Sequence, residues 1–475
     1  MTLPATLVTL PTPAQAVLNL VDDLDQCFRV GFANLELSHQ ATLQALQRIF
    51  NGTLLQQSCE EAIAALQQYE FSESHFAVIA GLRAALQGAV FDQLQHQMQS
   101  ELGRSAQNAT AKQPTITAAV SQPSTADVPS HLQSLLESVR QWLMEMALIG
   151  FTRLETSTLL LFTTTLEKLQ AEPLLIRQAA LLTGLFNELV SKRSIVDSDS
   201  LPLCRWVDLW TRAMIGARSL LPLEAAKPVS GTLELLGIDL QQHANLASLV
   251  AYGLLTVDGE IQFTRLTLSA YKVDAIQIAE IWLLFPQATT LLDAFAQTKT
   301  LRLNEVLMLP TGDLLLPGAD LLLSGKGAVG GKYDLMKRAA AYFAVGASGV
   351  STACGLHPRD RHPIHLAEPI FLKDYKVQST DSLTLHWADR PAVPIAIERL
   401  GRLSSMTAET IANSSELFGL LRFDAGRWAV QPLAVTVGKK TIVTGQTAAK
   451  VLKSPPKTST VGILQERASR LLRQK

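Results

Sequence analysis

The sequence is poor in cysteine, in aromatic residues and in charge. Its 475 residues include four cysteines, Cys27, Cys59, Cys204 and Cys354, and no two of them form a Cys-x-x-Cys pair. A disulfide framework is therefore not expected in so large a chain. Aromatic residues make up 6% of the chain, so Leu, Ala, Val and Ile must fill most of the cores. Because 47% of the residues are hydrophobic, wholesale disorder is excluded.

Long uncharged apolar runs are also missing. A membrane-spanning helix needs a run of about 18 residues or more, and Glu145, Arg153 and Glu155 interrupt the most apolar window, residues 143–166. The first residues, MTLPATLVTLPTPAQ, lack the basic and continuous apolar regions of a secretory signal. We therefore expect a soluble cytoplasmic protein that is not bound to a membrane.

Charge is unevenly distributed, although the formal net charge is −1. Residues 1–102 carry ten acids and three bases, a net charge of −7. Residues 326–475 carry 22 bases and 11 acids, a net charge of +11. Opposite charge at the two ends favours attraction between the ends or to two different partners. Drift of charge without functional meaning is the alternative explanation.

One low-complexity stretch divides the chain. Residues 105–130 read SAQNATAKQPTITAAVSQPSTADVPS, and such a composition buries too little apolar area to offset chain entropy. We predict a flexible linker there, so that an acidic helical module is tethered rather than packed. The predicted parts are the module (1–104), the linker (105–130), a second helical block (131–228), a β-rich region (229–448) that can split into two subdomains near 325–350, and a tail with a short basic helix (449–475).

Helical periodicity supports both helical parts. In the first, Thr12 and Pro13 suit a helix start, Ser58 fits a capping box, and Ser72 precedes a helix that we expect to give way to another after Gly88. The second contains predicted helices over 156–170, 174–191 and 201–221, after a strong apolar stripe: Leu132, Leu135, Leu136, Val139, Trp142, Leu143 and Met146.

From Gly231 the apolar period changes to two, which is typical of strands. The strongest hairpin signal is Asp258-Gly259, and Thr311-Gly312 marks a second hairpin. The sequence therefore predicts a multidomain α+β fold whose β-rich part is mostly antiparallel. Within it we expect helices at 275–284 and 331–345, and late strands at 382–387, 420–423, 427–437 and 441–444.

The first candidate ligand site is a glycine-rich segment with two lysines: Gly325, Lys326, Gly327, Gly330 and Lys332. It follows an apolar run and precedes a helical pattern, a context in which backbone N–H groups cradle a phosphate. However, Tyr333 stands where a Walker motif requires Ser or Thr, and no βαβ unit supports a dinucleotide site. A glycine-rich turn between a strand and a helix is the alternative.

The second candidate is a metal site in a short segment that contains Cys354, His357, His362 and His365. Thiolate and imidazole ligands suit Zn²⁺, but the Cys-x2-His-x4-His-x2-His spacing matches no common zinc motif. Nearby arginines would oppose a bound cation. A surface loop, or a loop that contacts an anionic partner, is the alternative.

Nucleic-acid binding by the basic C-terminal half is a third possibility. Phosphate contacts need clustered Lys and Arg, and single-strand readers need exposed aromatic side chains. The bases are scattered along the sequence, and Trp387, Phe423 and Trp428 on predicted strands are equally explained as core residues.

Catalytic patterns are weak. The chain has no Gly-x-Ser-x-Gly elbow, and no pair of acids has a spacing that assigns it general acid and base roles. The sequence therefore favours a non-catalytic scaffold or adaptor in a multiprotein assembly, which binds protein partners through the helical module and the basic half. A nucleotide- or phosphate-binding protein and a nucleic-acid-binding protein are the alternatives. The sequence identifies no cofactor and no small-molecule ligand.

Overall fold

The computed structural model confirms the α+β fold class, with helices first and a mostly antiparallel β-rich region after them. The predicted linker lies outside the described residues, except for Pro129 and Ser130. The structure describes residues 12–102, 129–192, 202–218, 226–242, 246–273, 275–276, 278–309, 311–315, 329–343, 361–379, 382–387, 390–400, 406–424, 426–446, 448–454 and 459–473.

Nine α-helices lie in the described part of residues 12–218. They are α1 (Thr12–Val30), α2 (Leu37–Phe50), α3 (Gln56–Gln67), α4 (Glu73–Glu101), α5 (Ser130–Ile149), α6 (Thr156–Leu160), α7 (Thr163–Ala171), α8 (Ile176–Lys192) and α9 (Leu203–Gly216). A helix follows Ser72 as predicted, and Ser72 caps it, because its hydroxyl accepts a hydrogen bond from the His75 backbone N–H at 3.4 Å. The predicted capping role of Ser58 is wrong, since α3 begins two residues earlier.

Two predicted helix boundaries differ from the structure. The expected end near Gly88 is wrong, because α4 continues without a break for 29 residues. An interior glycine costs a helix only about 1 kcal/mol, and burial of both halves of α4 outweighs that cost. Conversely, the predicted helix over 156–170 is interrupted between α6 and α7, where Leu161 is exposed and Phe162 is buried.

The two helical parts share one hydrophobic core, so the expectation of a tethered first module is wrong. Phe28 of α1 packs edge-on against Trp210 of α9, with ring centroids 4.5 Å apart. Residues of α1 to α9 contribute to the same buried cluster. The apolar faces that the periodicity identified therefore pack against each other in one core rather than in two separate bundles.

A close backbone crossing fixes α1 against α5. Gly31 follows α1 with φ 91°, and Gly150 follows α5 with φ 90°. A Cβ added at Gly150 would overlap the backbone of Val30 and Gly31, and one added at Gly31 would overlap the carbonyls of Leu148 and Ile149. Both positions therefore require glycine for its conformation and for its size.

The β-rich region contains three sheets in its described part. A six-stranded sheet has the order β1-β2-β3-β5-β4-β6, a four-stranded sheet the order β13-β12-β11-β7, and a three-stranded sheet the order β10-β9-β8. The strands are β1 (Lys227–Gln242), β2 (Leu246–Val257), β3 (Glu260–Tyr271), β4 (Lys299–Met308), β5 (Asp313–Leu315), β6 (Val329–Lys332), β7 (Ala367–Lys373), β8 (Lys376–Ser379), β9 (Leu383–Trp387), β10 (Arg390–Pro394), β11 (Glu416–Asp424), β12 (Arg427–Val437) and β13 (Lys440–Val443).

The Asp258-Gly259 hairpin is confirmed between β2 and β3, and both turn residues have positive φ, 50° and 88°. This is the backbone that a two-residue hairpin turn requires. The region also contains α10 (Thr289–Ala296), α11 (Leu335–Phe343), α12 (Ala408–Ala412), α13 (Ala448–Lys453) and α14 (Thr460–Arg473). The helix expected over 275–284 is instead a 3-10 helix, Ile278–Leu284.

The four-stranded sheet lies between two cores. Phe418 and Leu433 pack with β1, β2 and α11 in one core, while Leu417 and Val430 belong to the other, which the second half of α4 completes. In that second core, Val90, Phe91, Leu94 and Met98 of α4 meet the β-rich region. The first half of α4 belongs to the all-helical core, so this helix connects the two regions, as α1 also does through Ala14.

By length and composition, α4 is also the one helix among the described residues that reaches the threshold for spanning a membrane. Its apolar residues are distributed around the helix rather than along one stripe, which is typical of a helix that is buried on several sides. Over half of the apolar window is buried inside the protein, and Arg83 in its middle is paired with Asp25. Packing against the protein therefore explains its hydropathy.

Candidate functional site

The described part of the glycine-rich segment forms the edge strand β6. Lys332 lies opposite Lys299 of β4, and Val329 lies opposite Leu301. Gly330 lies against the Thr300 side chain. Gly325, Lys326 and Gly327 lie outside the described residues. The expected start of a helix at residue 331 is wrong, since residues 331 and 332 belong to this strand and α11 begins at Leu335.

The N-terminus of α11 is already capped by a carboxylate. The backbone N–H of Lys337 donates to Asp334 Oδ1 at 3.1 Å. A carboxylate at this position occupies the place where a phosphate would benefit from the helix dipole. Among the described residues, an anion site here would therefore depend on the Lys299–Lys332 pair, and the phosphate site remains a prediction.

The predicted metal ligands His362 and His365 lie in a short 3-10 turn, Pro363–His365 and its N-cap, that packs against the helical region. His362 Nδ1 accepts a hydrogen bond from the Ile364 backbone N–H at 3.1 Å. His365 Nε2 lies 2.6 Å from Arg212 Nη2. Cys354 and His357 lie outside the described residues. Among the residues that the structure describes, no group of three or more His, Cys, Asp or Glu side chains is arranged to hold a metal ion.

The two histidines belong instead to a charged network, here called the joint cluster, formed by Asp25, Arg83, Asp208, Arg212, His362 and His365. Arg83 is fully buried and donates to both carboxylate oxygens of Asp25, at 2.7 and 2.9 Å. Asp208 lies 3.6 Å from Arg83 Nη1, 3.1 Å from Arg212 Nε and 3.9 Å from His362 Nε2. The joint cluster thus connects α1, α4 and α9 with the segment that enters β7.

Burial determines the proton affinities in the joint cluster. It lowers the pKa of His362 to about 4, because a buried imidazolium loses hydration and faces two arginines, while Asp208 opposes the change. Burial also raises the pKa of Asp25 to about 6, although Arg83 acts in the opposite direction. At neutral pH His362 is therefore neutral and the Asp25–Arg83 pair is ionised.

A second buried network joins the six-stranded and four-stranded sheets. Asp239 of β1 accepts from Arg422 Nη2 at 3.2 Å and from Gln431 Nε2 at 2.8 Å, and Arg422 Nε donates to Gln431 Oε1. All three side chains are buried. As in the joint cluster, each charge has a partner, and such closed networks are typical of structural ion pairs rather than of a site open to substrate.

Burial also weighs against one alternative from the sequence, nucleic-acid binding, and against a nucleophilic role for two of the cysteines. Phe423 and Trp428 pack edge-on at 5.3 Å in the core and are each 3% exposed, so neither offers a face to a nucleic-acid base. Burial raises the pKa of the Cys27 thiol to about 12 and that of Cys59 to about 11. Both thiols therefore remain protonated at neutral pH and are poor nucleophiles.

An open groove lies where α5 meets the break between α6 and α7. It has a volume of about 500 Å³. We call it the α5–α6 groove, and its lining residues are Ser134, Glu137, Ser138, Gln141, Trp142, Glu145, Thr158, Leu161 and Phe162. On α5 these positions recur every three or four residues, which places them on one face of the helix.

The floor of the α5–α6 groove is aromatic. Trp142 and Phe162 are stacked face to face, with centroids 3.9 Å apart and planes inclined by 5°. Both are buried, and Trp142 Nε1 has no hydrogen-bond acceptor among the described residues. An unpaired buried donor costs about 1–3 kcal/mol, so the floor holds a polar atom that the described residues do not satisfy.

The rim of the α5–α6 groove combines apolar and acidic side chains. Leu161 is 82% exposed and its neighbour Leu160 is 53% exposed, while Glu137 and Glu145 contribute carboxylates and none of the nine lining residues is basic. Adjacent exposed leucines over an aromatic floor are the arrangement that buries apolar area when another molecule docks.

Sequence reasoning placed Trp142 in a core stripe and did not identify the groove. A signal was present in residues 159–162, Leu-Leu-Leu-Phe, which Thr163, Thr164 and Thr165 follow. Four consecutive apolar residues cannot all face one side of a helix. Such a run therefore indicates either a break or exposed leucines, and the structure has both.

Comparisons with protein-family models, with curated proteins and with solved structures found no match for this chain.

Proposed function

We propose that this protein is a non-catalytic scaffold protein that binds a protein partner at the α5–α6 groove. The proposal rests on one observation: Leu160 and Leu161 are exposed beside the stacked Trp142–Phe162 floor. Exposed leucines that adjoin a buried aromatic pair resemble the centre of an interface, where a few apolar anchors provide most of the binding energy.

The electrostatics of the described residues support a non-catalytic role. The buried carboxylates Asp25 and Asp239 each pair with a buried arginine. A general acid or base must be able to reach substrate, and these paired groups face other protein side chains. The α5–α6 groove contains glutamates and serines but no histidine, cysteine or lysine.

The test is a substitution at the rim that leaves the floor intact. Leu161→Asp should weaken capture of a partner from lysate of the source organism by about tenfold or more, as expected when an anchor side chain is lost. Leu174→Asp is the matched control, since Leu174 is 72% exposed and lies outside the groove. A partner captured equally by both variants and by the unaltered chain would reject the groove as the docking surface.

Anion binding at β6 is a second candidate, because Lys332 lies directly opposite Lys299. Like charges at opposed strand positions repel each other, and a bound phosphate would relieve that repulsion. A thermal-shift series with nucleotides and with inorganic phosphate tests this candidate. Lys332→Ala should abolish any shift, and a shift that persists in this variant would exclude Lys332 from the site.

A further inference from the structure

We infer that the occupant of the α5–α6 groove is helix α14 of a second copy of this chain. The inference rests on the proposed function of the groove and names its partner. It joins two observations made in separate parts of the described structure: a groove lined by two glutamates and the exposed Leu161, and a basic helix on which Ile463 and Leu464 are exposed.

The first turn of α14 is held by its own chain. Glu280 accepts from the Thr460 backbone N–H, with its two carboxylate oxygens at 3.0 and 3.2 Å, and Val461 is buried. Beyond that turn, Ile463 is 46% exposed and Leu464 is 41% exposed. The anchored first turn positions the helix, and the exposed pair is available to another molecule.

The two surfaces complement each other in charge and in apolarity. Residues 460–473 contain three arginines, Arg467, Arg470 and Arg473, and one glutamate. Glu137 and Glu145 lie eight positions apart on α5, or about 12 Å along its axis, so arginines on a docked helix can meet both. Ile463 and Leu464 then cover Leu161 and the aromatic floor.

Since the groove and α14 are different surfaces of one chain, the contact is heterologous. Repetition of a heterologous contact produces a ring or an open chain of copies rather than a simple two-fold dimer.

A charge-exchange experiment on the full chain tests this inference. The groove variant Glu137→Arg/Glu145→Arg and the tail variant Arg467→Glu/Arg470→Glu should each sediment as monomers at concentrations where the unaltered chain associates. A mixture of the two variants should associate again, because each basic surface then meets an acidic one. Glu61→Arg/Glu167→Arg is the matched control for charge, since both glutamates are exposed and outside the groove.

The outcomes separate this inference from the proposed function. Restored association in the mixture supports α14 as the occupant. An unaltered chain that stays monomeric, or association that survives in both single variants, overturns it. If Leu161→Asp nevertheless loses a different captured protein, the groove remains a docking surface and only the identity of its occupant is wrong. Thermal unfolding of each variant verifies that the exchanged charges leave the fold intact.

Discussion

Gly31 and Gly150 meet backbone to backbone, although 119 positions separate them in the sequence. The contact is reinforced by hydrogen bonds from the Phe151 and Thr152 backbone N–H groups to the carbonyls of Phe28 and Arg29, at 2.9 and 3.3 Å. It joins the segment before the predicted linker to the segment after it. The contribution of this crossing to the free energy of unfolding can be measured.

We predict that Gly150→Ala destabilises the protein by about 3 kcal/mol or more, since a Cβ there adds a backbone overlap to the conformational strain of positive φ. Gly52→Ala is the matched control: Gly52 also has positive φ, 76°, but has no atom within 4 Å of the added Cβ. It should cost about 1 kcal/mol. Urea unfolding measures both, and equal losses would show that the close approach is unimportant.

A second prediction concerns two tryptophans of α9. Trp210 Nε1 donates to the Leu143 carbonyl at 2.8 Å, whereas Trp206 Nε1 is buried and has no acceptor in the part of the chain that the structure describes. Both substitutions by phenylalanine remove similar volume, but only Trp210→Phe removes a hydrogen bond. We expect Trp210→Phe to cost about 1 kcal/mol more than Trp206→Phe. Equal unfolding free energies for the two variants would contradict this assignment.

A third prediction concerns the buried Asp25–Arg83 pair. Arg83→Met leaves an unpaired buried carboxylate and should cost about 3–5 kcal/mol. The double variant Arg83→Met/Asp25→Leu should recover part of that loss, because no buried charge remains. Arg205→Met is the control, since Arg205 pairs with Glu188 at the surface, where such pairs contribute about 0–1 kcal/mol. A double variant as unstable as the single one would count against charge burial as the cause.

A fourth prediction concerns pH. The pKa of His362 is about 4 in the folded chain against an ordinary value of 6.5, so the unfolded chain binds more protons between these values. The contribution of neutral His362 to the free energy of unfolding is present above pH 6.5. It is lost as pH falls toward 4, and the loss is about 3 kcal/mol at most. His362→Gln should remove this loss, which denaturant unfolding at pH 7, 6, 5 and 4 can measure.

Asp25 acts in the opposite direction. Its pKa is raised from 3.8 to about 6, so the folded chain binds more protons in this window, and the corresponding contribution to stability is lost as pH rises through 6. In the unaltered chain the two effects partly cancel. In His362→Gln the Asp25 effect should remain, so stability should fall as pH rises from 4 to 6, relative to the unaltered chain. A constant difference between the two proteins at all four pH values would refute the assignment for His362, and a stability of His362→Gln that does not fall between pH 4 and pH 6 would refute the assignment for Asp25.

The sequence predicts those elements that depend on local chemistry. The hairpin at Asp258-Gly259 follows from two adjacent residues that tolerate positive φ, and the start of α4 follows from the Ser72 cap. β12 matches its predicted limits, residues 427–437. In each case the signal lies within a few residues of the element that it determines.

Contacts between residues far apart in the chain could not be predicted from the sequence. Asp25, Arg83 and Asp208 are far apart in the chain, and nothing local to any of them indicates that they meet. The continuity of α4 across Gly88 likewise depends on burial by partners on both sides, which outweighs the local preference. The α5–α6 groove was missed for a different reason: the apolar run at residues 159–162 was interpreted as helix continuation instead of as a break.

The shared helical core changes how the chain can be divided. Residues 12–102 supply part of two cores, so this segment is an integral part of the folded chain rather than a removable module. If residues 1–104 and 129–475 are expressed as two separate polypeptides, the two fragments should associate into the native fold without a covalent connection. The low-complexity stretch would then serve as a natural position for fragment complementation.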